Sequence, residues 1–202
     1  MHLFRFFLLP LAFIFLVTNI HSASYNSHGQ TGLIYLPSAE IHSDQSVYFT
    51  FTKGSFQKLA TITVTPFEWM EASYFYYRPD DLMWGVSQGL YLDKGFNIKF
   101  SYKPKSNRFP KFAIGLDDFA GTGQFTKEYI ASTYDFNNIK ITSGIGWGKY
   151  VGESRIKNPL RIIDSRYESR SNNSDNYDLG GNLSYDLWFR GDVTLFGGIE
   201  IK

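Results

Sequence analysis

From residue 46 onward the sequence keeps a two-residue beat. Phe96, Ile98, Phe100 and Tyr102 alternate with Asn97, Lys99, Ser101 and Lys103. Ile139, Ile141, Ile145 and Trp147 alternate with Lys140, Thr142, Gly144, Gly146 and Gly148, with Ser143 as the break. Successive side chains of a strand point to opposite faces, so each such segment has one oily face and one wet face. A series of these segments, each of roughly ten residues, is the pattern of a wall between lipid and water. Helical periodicity is almost absent after the N-terminal run. The expected fold is therefore all-β, an antiparallel transmembrane β-barrel of the outer-membrane type.

The N-terminal run reads as a secretory signal peptide over residues 1–23. Arg5 supplies the positive start, residues 6–17 are apolar apart from Pro10, and Ser22-Ala23-Ser24 offers small residues for cleavage. A spanning helix needs about 20 apolar residues, more than this run provides. Membrane residence must then come from strands. The sequence contains no cysteine, which excludes a disulfide framework, a thiolate metal site and a lipid-modified cysteine. Without Arg5, acidic and basic side chains are equal in number, so nucleic acid is not an expected partner. Aromatic residues make up 18% of the chain, which suits membrane interfaces and protein cores alike.

Residues 24–45 read as a periplasmic leader with a short extended segment, 30–37, ended by Pro37. The barrel portion spans 46–202. Strands are expected at 46–53, 57–65, 67–78, 95–103, 110–118, 127–136, 138–148, 182–189 and 192–201, with tight turns at Asn137-Asn138 and Arg190-Gly191. Connections at Pro66, 104–109, 137–138 and 190–191 are short. Those at 79–94, 119–126 and 149–181 are longer and more polar, and 54–56 is the exception. Outer-membrane barrels alternate short periplasmic turns with longer outer loops, which puts the N-terminus on the periplasmic side. The loop 149–181, rich in Ser, Asn, Asp and Arg over 166–176, is expected to be solvated.

That makes nine strands, the last ending one residue before the final Lys202, whereas single-chain bacterial barrels use an even number. An open edge in hydrocarbon would leave backbone groups unpaired, at several kcal/mol each. Either one strand is miscounted or the chain is the N-terminal part of a larger barrel. The second is the expectation.

No enzyme signature emerges. Asp117-Asp118 could serve metal or acid–base chemistry, but at a strand end such residues more simply accept backbone N–H bonds. Gly121-Thr122-Gly123 lacks the following Lys and helix of a phosphate loop. Glu68 and Glu71 fall on opposite strand faces, unlike the facing carboxylates of a glycosidase. His28 and His42 form no metal-binding spacing. No catalytic residue, metal or cofactor is expected.

Several stretches resemble the YjbH-like family of bacterial outer-membrane proteins. They begin at Gly29-Gln30-Thr31-Gly32-Leu33-Ile34-Tyr35-Leu36-Pro37-Ser38-Ala39, and continue through residues 66–74 and 94–100. The strongest is Ala113-Ile114-Gly115-Leu116-Asp117-Asp118-Phe119-Ala120-Gly121-Thr122-Gly123, followed by Glu128-Tyr129. Residues 144–148, Asn158-Pro159-Leu160 and 189–198 complete an ordered set over nearly the whole mature chain. The resemblance implies an outer-membrane barrel working in exopolysaccharide biosynthesis or export. It also implies a much longer protein, and some members described as lipoproteins, a trait this cysteine-free sequence does not share. It transfers no catalytic residues.

The leading expectation is thus a non-enzymatic barrel in the bacterial outer membrane. Its partners would be membrane lipid, a polysaccharide and other envelope proteins of exopolysaccharide production. Thr61, Thr63, Thr65, Lys99, Lys111, Lys140 and Thr142 are expected on the wet, lumen-facing side. Tyr74, Tyr76, Tyr77, Trp84 and Trp147 are expected in an interface girdle or a sugar-stacking platform. The alternative is a secreted soluble β-sandwich that binds carbohydrate, with its apolar faces meeting in a core.

Overall fold

The computed structural model describes residues 23–55, 57–80, 91–171, 182–183 and 185–201. Residues 1–22 of the expected signal segment, Trp84 and residues 172–181 of the long loop lie outside the described residues. A two-residue hairpin comes first, β1 (Gly32–Leu33) and β2 (Leu36–Pro37). Then come β3 (Ser46–Lys53), β4 (Gln57–Phe67), β5 (Met70–Pro79), β6 (Asp93–Tyr102) and β7 (Lys111–Asp117). The short β8 (Ala120–Gly121), the long β9 (Lys127–Phe136) and β10 (Ile139–Gly146), the short β11 (Asn182–Leu183) and β12 (Thr194–Ile201) complete the chain. Three single-turn 3-10 helices lie between β10 and β11.

Eight of these strands form one antiparallel sheet in the order β3-β4-β5-β6-β7-β9-β10-β12. Asn137, at φ 52°, makes the expected tight turn, closing Phe136 against Ile139. Pro66 has no N–H to give the ladder, and the β4–β5 register shifts between Val64 and Phe67.

One expected hairpin does not form. Residues 182–183 pair with β8, 185–189 turn, and β12 pairs with β10 instead. The apolar beat of Leu183, Tyr185, Leu187 and Phe189 mimics a strand, but Leu187 is buried in a turn and Phe189 sits at φ 56°. The sheet therefore has eight strands, not nine. Its edges are β3 and β12, and no pairing between them closes it among the described residues.

The faces of this sheet are inverted relative to a soluble protein. Val47, Phe49, Phe51, Ile62, Tyr74, Phe96, Phe112, Ile114, Ile130, Ile141, Leu195 and Ile199 are all exposed. Thr61, Thr63, Thr65, Glu71, Ser73, Asn97, Lys99, Asp117, Glu128, Thr133 and Thr142, on the other beat, are buried. Soluble sheets cover their apolar face and wet their polar one. Here the covering lies on the polar side.

That covering is the leader, and its contacts show that the sheet is rolled. Ser24 Oγ donates to Glu200 Oε1 of β12 at 2.6 Å, while the ring of adjacent Tyr25 lies 4.9 Å from Tyr48 of β3. Neighbouring residues thus touch both edges. In a flat eight-stranded sheet, spacings of about 4.8 Å would hold those edges roughly 34 Å apart. Gly29 and Leu33, four residues apart, repeat the test against Thr50 of β3 and Gly198 of β12.

Candidate functional site

Because the polar face is enclosed and filled, its chemistry lies where leader and sheet meet. Gly29 enters this space at φ +75°, and a Cβ there would come within 2.9 Å of the Thr61 Cβ, so only glycine fits. Thr61 Oγ1 donates to the His28 carbonyl at 2.9 Å, and Thr63 Oγ1 to the Gly29 carbonyl at 2.6 Å. Gln30 Nε2 donates to Asp117 Oδ1 at 2.8 Å.

A dry centre follows at Thr31. Its N–H and hydroxyl both donate to the Glu71 carboxylate, Lys99 Nζ lies 3.0 Å from Glu71 Oε1, and Lys99 also donates to the Thr31 carbonyl. Lys99 and Glu71 are 1% and 2% exposed. Two buried charges are tolerable only when paired and further hydrogen-bonded, and the leader backbone supplies those bonds.

Toward the short-turn end, Ala39 N–H donates to Thr133 Oγ1 at 2.9 Å, Thr133 shares a hydrogen bond with Thr142, and Ser101 Oγ donates to the Ala39 carbonyl. Glu40 then meets Lys111 at 2.7 Å and Lys140, and Lys111 also pairs with Asp135. Burial pushes the Glu40 carboxyl up, but Lys111 and Lys140 outweigh it and hold it below its ordinary value. A cavity of about 500 Å³ opens beside this cluster.

At the opposite end a second cavity, about 270 Å³, lies between the leader residues His28, Gln30 and Tyr35 and the sheet. Tyr77, Phe125, Lys127 and Asp117 stand in its wall. Asp118 stands there too, at φ 54°, with Oδ2 accepting the Phe125 N–H at 3.1 Å and Oδ1 unpartnered. Burial, with Asp93 nearby, pushes the Asp118 carboxyl up to about 8. Oδ1 lies only 2.0 Å from where a Cβ on Gly121 would sit, which accounts for glycine in the Asp-Asp-Phe-Ala-Gly stretch.

Thr61, Thr63, Thr65, Lys99, Lys111, Lys140 and Thr142 thus share the enclosed face. It is the leader, more than water, that covers them. The aromatic set divides. Tyr74 and Tyr76 are exposed on the outer face, whereas Tyr77 points inward and donates from its hydroxyl to Gln57. Trp147 is in neither expected setting. It follows the end of β10, is 2% exposed and packs edge-on against Phe189, because the chain turns there into the first 3-10 helix.

The loop 149–181, expected in solvent, is mostly exposed over its described part, but Arg170 and Asn158 tie it inward. Arg170 grips Glu128, which is fully buried, with two nitrogens at 2.7 and 3.0 Å, and also donates to the Thr126 and Leu187 carbonyls. Buried Asn158 donates to the Tyr167 and Phe189 carbonyls. Glu71, Glu128, Arg170 and much of the leader, Asn26, Gln30, Thr31 and Glu40 included, are inward residues that sequence reasoning missed. A glutamate on the polar beat was their one local signal. Among the described residues no group of three His, Cys, Asp or Glu side chains is placed to hold a metal ion.

The profile of the family described as exopolysaccharide biosynthesis protein YbjH matches residues 24–202. The chain belongs to the YjbH family. An uncharacterized lipoprotein YjbH of Escherichia coli K12 is 28% identical over 185 residues, which cover 89% of this chain and 26% of that protein. The chain thus spans about a quarter of the length of this YjbH relative. No solved structure matches it.

Proposed function

We propose that this YjbH-family chain forms β-barrel wall in the bacterial outer membrane and takes part in exopolysaccharide biosynthesis or export without catalysing a reaction itself. One observation carries the reading: a rolled antiparallel sheet with charged and hydroxyl side chains enclosed and rows of Phe, Ile, Val and Leu exposed. Acyl chains are the surroundings in which that arrangement is stable, since they reward apolar side chains outside and require backbone groups to be paired. The family description supplies the link to exopolysaccharide. The enclosed polar face would act as a docking wall for a hydrated glycan, or as a passage once the leader moves aside. Envelope proteins of the same process are the partners this role implies.

The soluble sandwich gains no such support, because no second sheet covers the apolar rows among the described residues. Envelope fractionation tests the choice. The chain should sediment with outer membrane and resist extraction by salt, and loss of the gene should lower exopolysaccharide output. Recovery as a monodisperse protein in detergent-free periplasmic extract would defeat the proposal.

A further inference from the structure

The cavity between the leader and the sheet carries more information than its size. Tyr77 and Phe125 meet edge-on, ring centroids 4.8 Å apart, and form an aromatic corner in its wall. Lys127 Nζ sits 4.8 Å over the Tyr150 ring and 3.5 Å from Asp117 Oδ2. Lys149, exposed at the rim, has no ion pair among the described residues.

The local charge is therefore two ammoniums against Asp117 and a buried Asp118. Asp118 is largely protonated near neutrality, because burial and Asp93 raise it. His28 stands in the same wall. The Lys127 charge, with burial, pushes its imidazole down to about 3. Aromatic faces joined to a few placed polar groups are the usual build of a small-molecule site. At about 270 Å³ the space suits a single sugar ring rather than a stretch of polymer.

We propose that this cavity binds one acidic sugar unit, a uronic-acid type residue of a glycan, with the aromatic corner against the ring and Lys127 and Lys149 at the carboxylate. The inference rests on the exopolysaccharide reading above and narrows it to one class of sugar. His28, Gln30 and Tyr35 of the leader form part of its wall, so the site is incomplete without the leader.

The test is calorimetry on the full chain refolded in detergent micelles, with methyl glucuronide and methyl glucoside as probes. Glucuronide should bind saturably and about tenfold more tightly than glucoside, the effect of one charge-assisted hydrogen bond. Lys149→Gln should remove most of that preference, and Phe125→Ala should weaken both sugars together. Equal affinity for the two probes, no saturable binding, or glucuronide binding unchanged in both variants would overturn the proposal. Lys149 is exposed, so its variant carries the test if Phe125→Ala does not fold. Strains separate the two levels. Normal exopolysaccharide in a deletion strain defeats the parent reading, whereas a deletion strain restored in full by the K149Q/F125A chain defeats only the cavity.

Discussion

Thr61 and Ile62 are neighbours on one strand, yet the first is 1% exposed and the second 45%. The polar residue is the hidden one. The same contrast holds for Lys99 and Phe100 on β6, and for Thr142 and Ile141 on β10. In a protein surrounded by water, burying Lys99 while exposing Phe100 would be costly on both counts. The comparison teaches that the two faces answer to different surroundings, one to the leader and its hydrogen bonds, the other to an apolar medium.

The inner face should yield the largest effect when disturbed. Lys99→Met leaves Glu71 charged, buried and short of its cation, and should cost about 3–5 kcal/mol in denaturant unfolding from detergent or bilayer. The double variant Lys99→Met/Glu71→Met should recover much of that loss. If it does not, the pair is not the reason the centre holds.

The outer face gives the next effect and the sharpest break between readings. Ile130→Lys puts a charge in the middle of β9, where a bilayer would impose about 2–4 kcal/mol. On a water-exposed surface the same change should stay within about 0.5 kcal/mol. A neutral result in lipid vesicles would remove the reason to place acyl chains there.

Thr133→Val tests the leader's grip. It leaves the buried Ala39 N–H without its acceptor, a loss of about 1–3 kcal/mol. Proteolysis within residues 24–45 should speed up in that variant while the sheet remains resistant. Equal protection of leader and sheet would mean that Thr133 does not hold the leader.

The effect smallest at neutral pH concerns acidity. Lys127 and burial hold the His28 imidazole at about 3, against an ordinary 6.5. As pH falls below 6.5 the unfolded chain takes up this proton first, so acid favours unfolding. The stability that neutral His28 contributes is present in full above 6.5 and is lost as pH falls toward 3. His28→Gln should flatten this part of the pH profile relative to wild type. Parallel profiles would show that the imidazole does not feel Lys127.

Much of the sheet was legible because strand phase is local. Lys99 and Phe100, or Thr142 and Ile141, declare opposite faces by being adjacent, whatever lies far away. Asn137-Asn138 likewise declared its turn, since Asn accepts a positive φ. The leader was not legible. Its residues read as a periplasmic leader with one short extended segment, and nothing within a few positions of Thr31 says that Glu71 will be its partner. The misread strand at 182–189 failed for the same reason. Its alternation was real, but the partner for β10 was decided by competition, and residues 194–201 won. Asp118 illustrates both sides. The turn at the strand end was foreseeable, but its burial over Gly121 and beside Asp93 was not.

By itself the sequence determined the class of structure, the phase of most strands and the alternation of short and long connections. Each follows from backbone geometry acting over a few residues. Only the tertiary structure decided that the sheet rolls, that eight strands build it, and that residues 24–45 lie against its polar face. Those outcomes depend on contacts between residues far apart in the chain, whose energies no local pattern records.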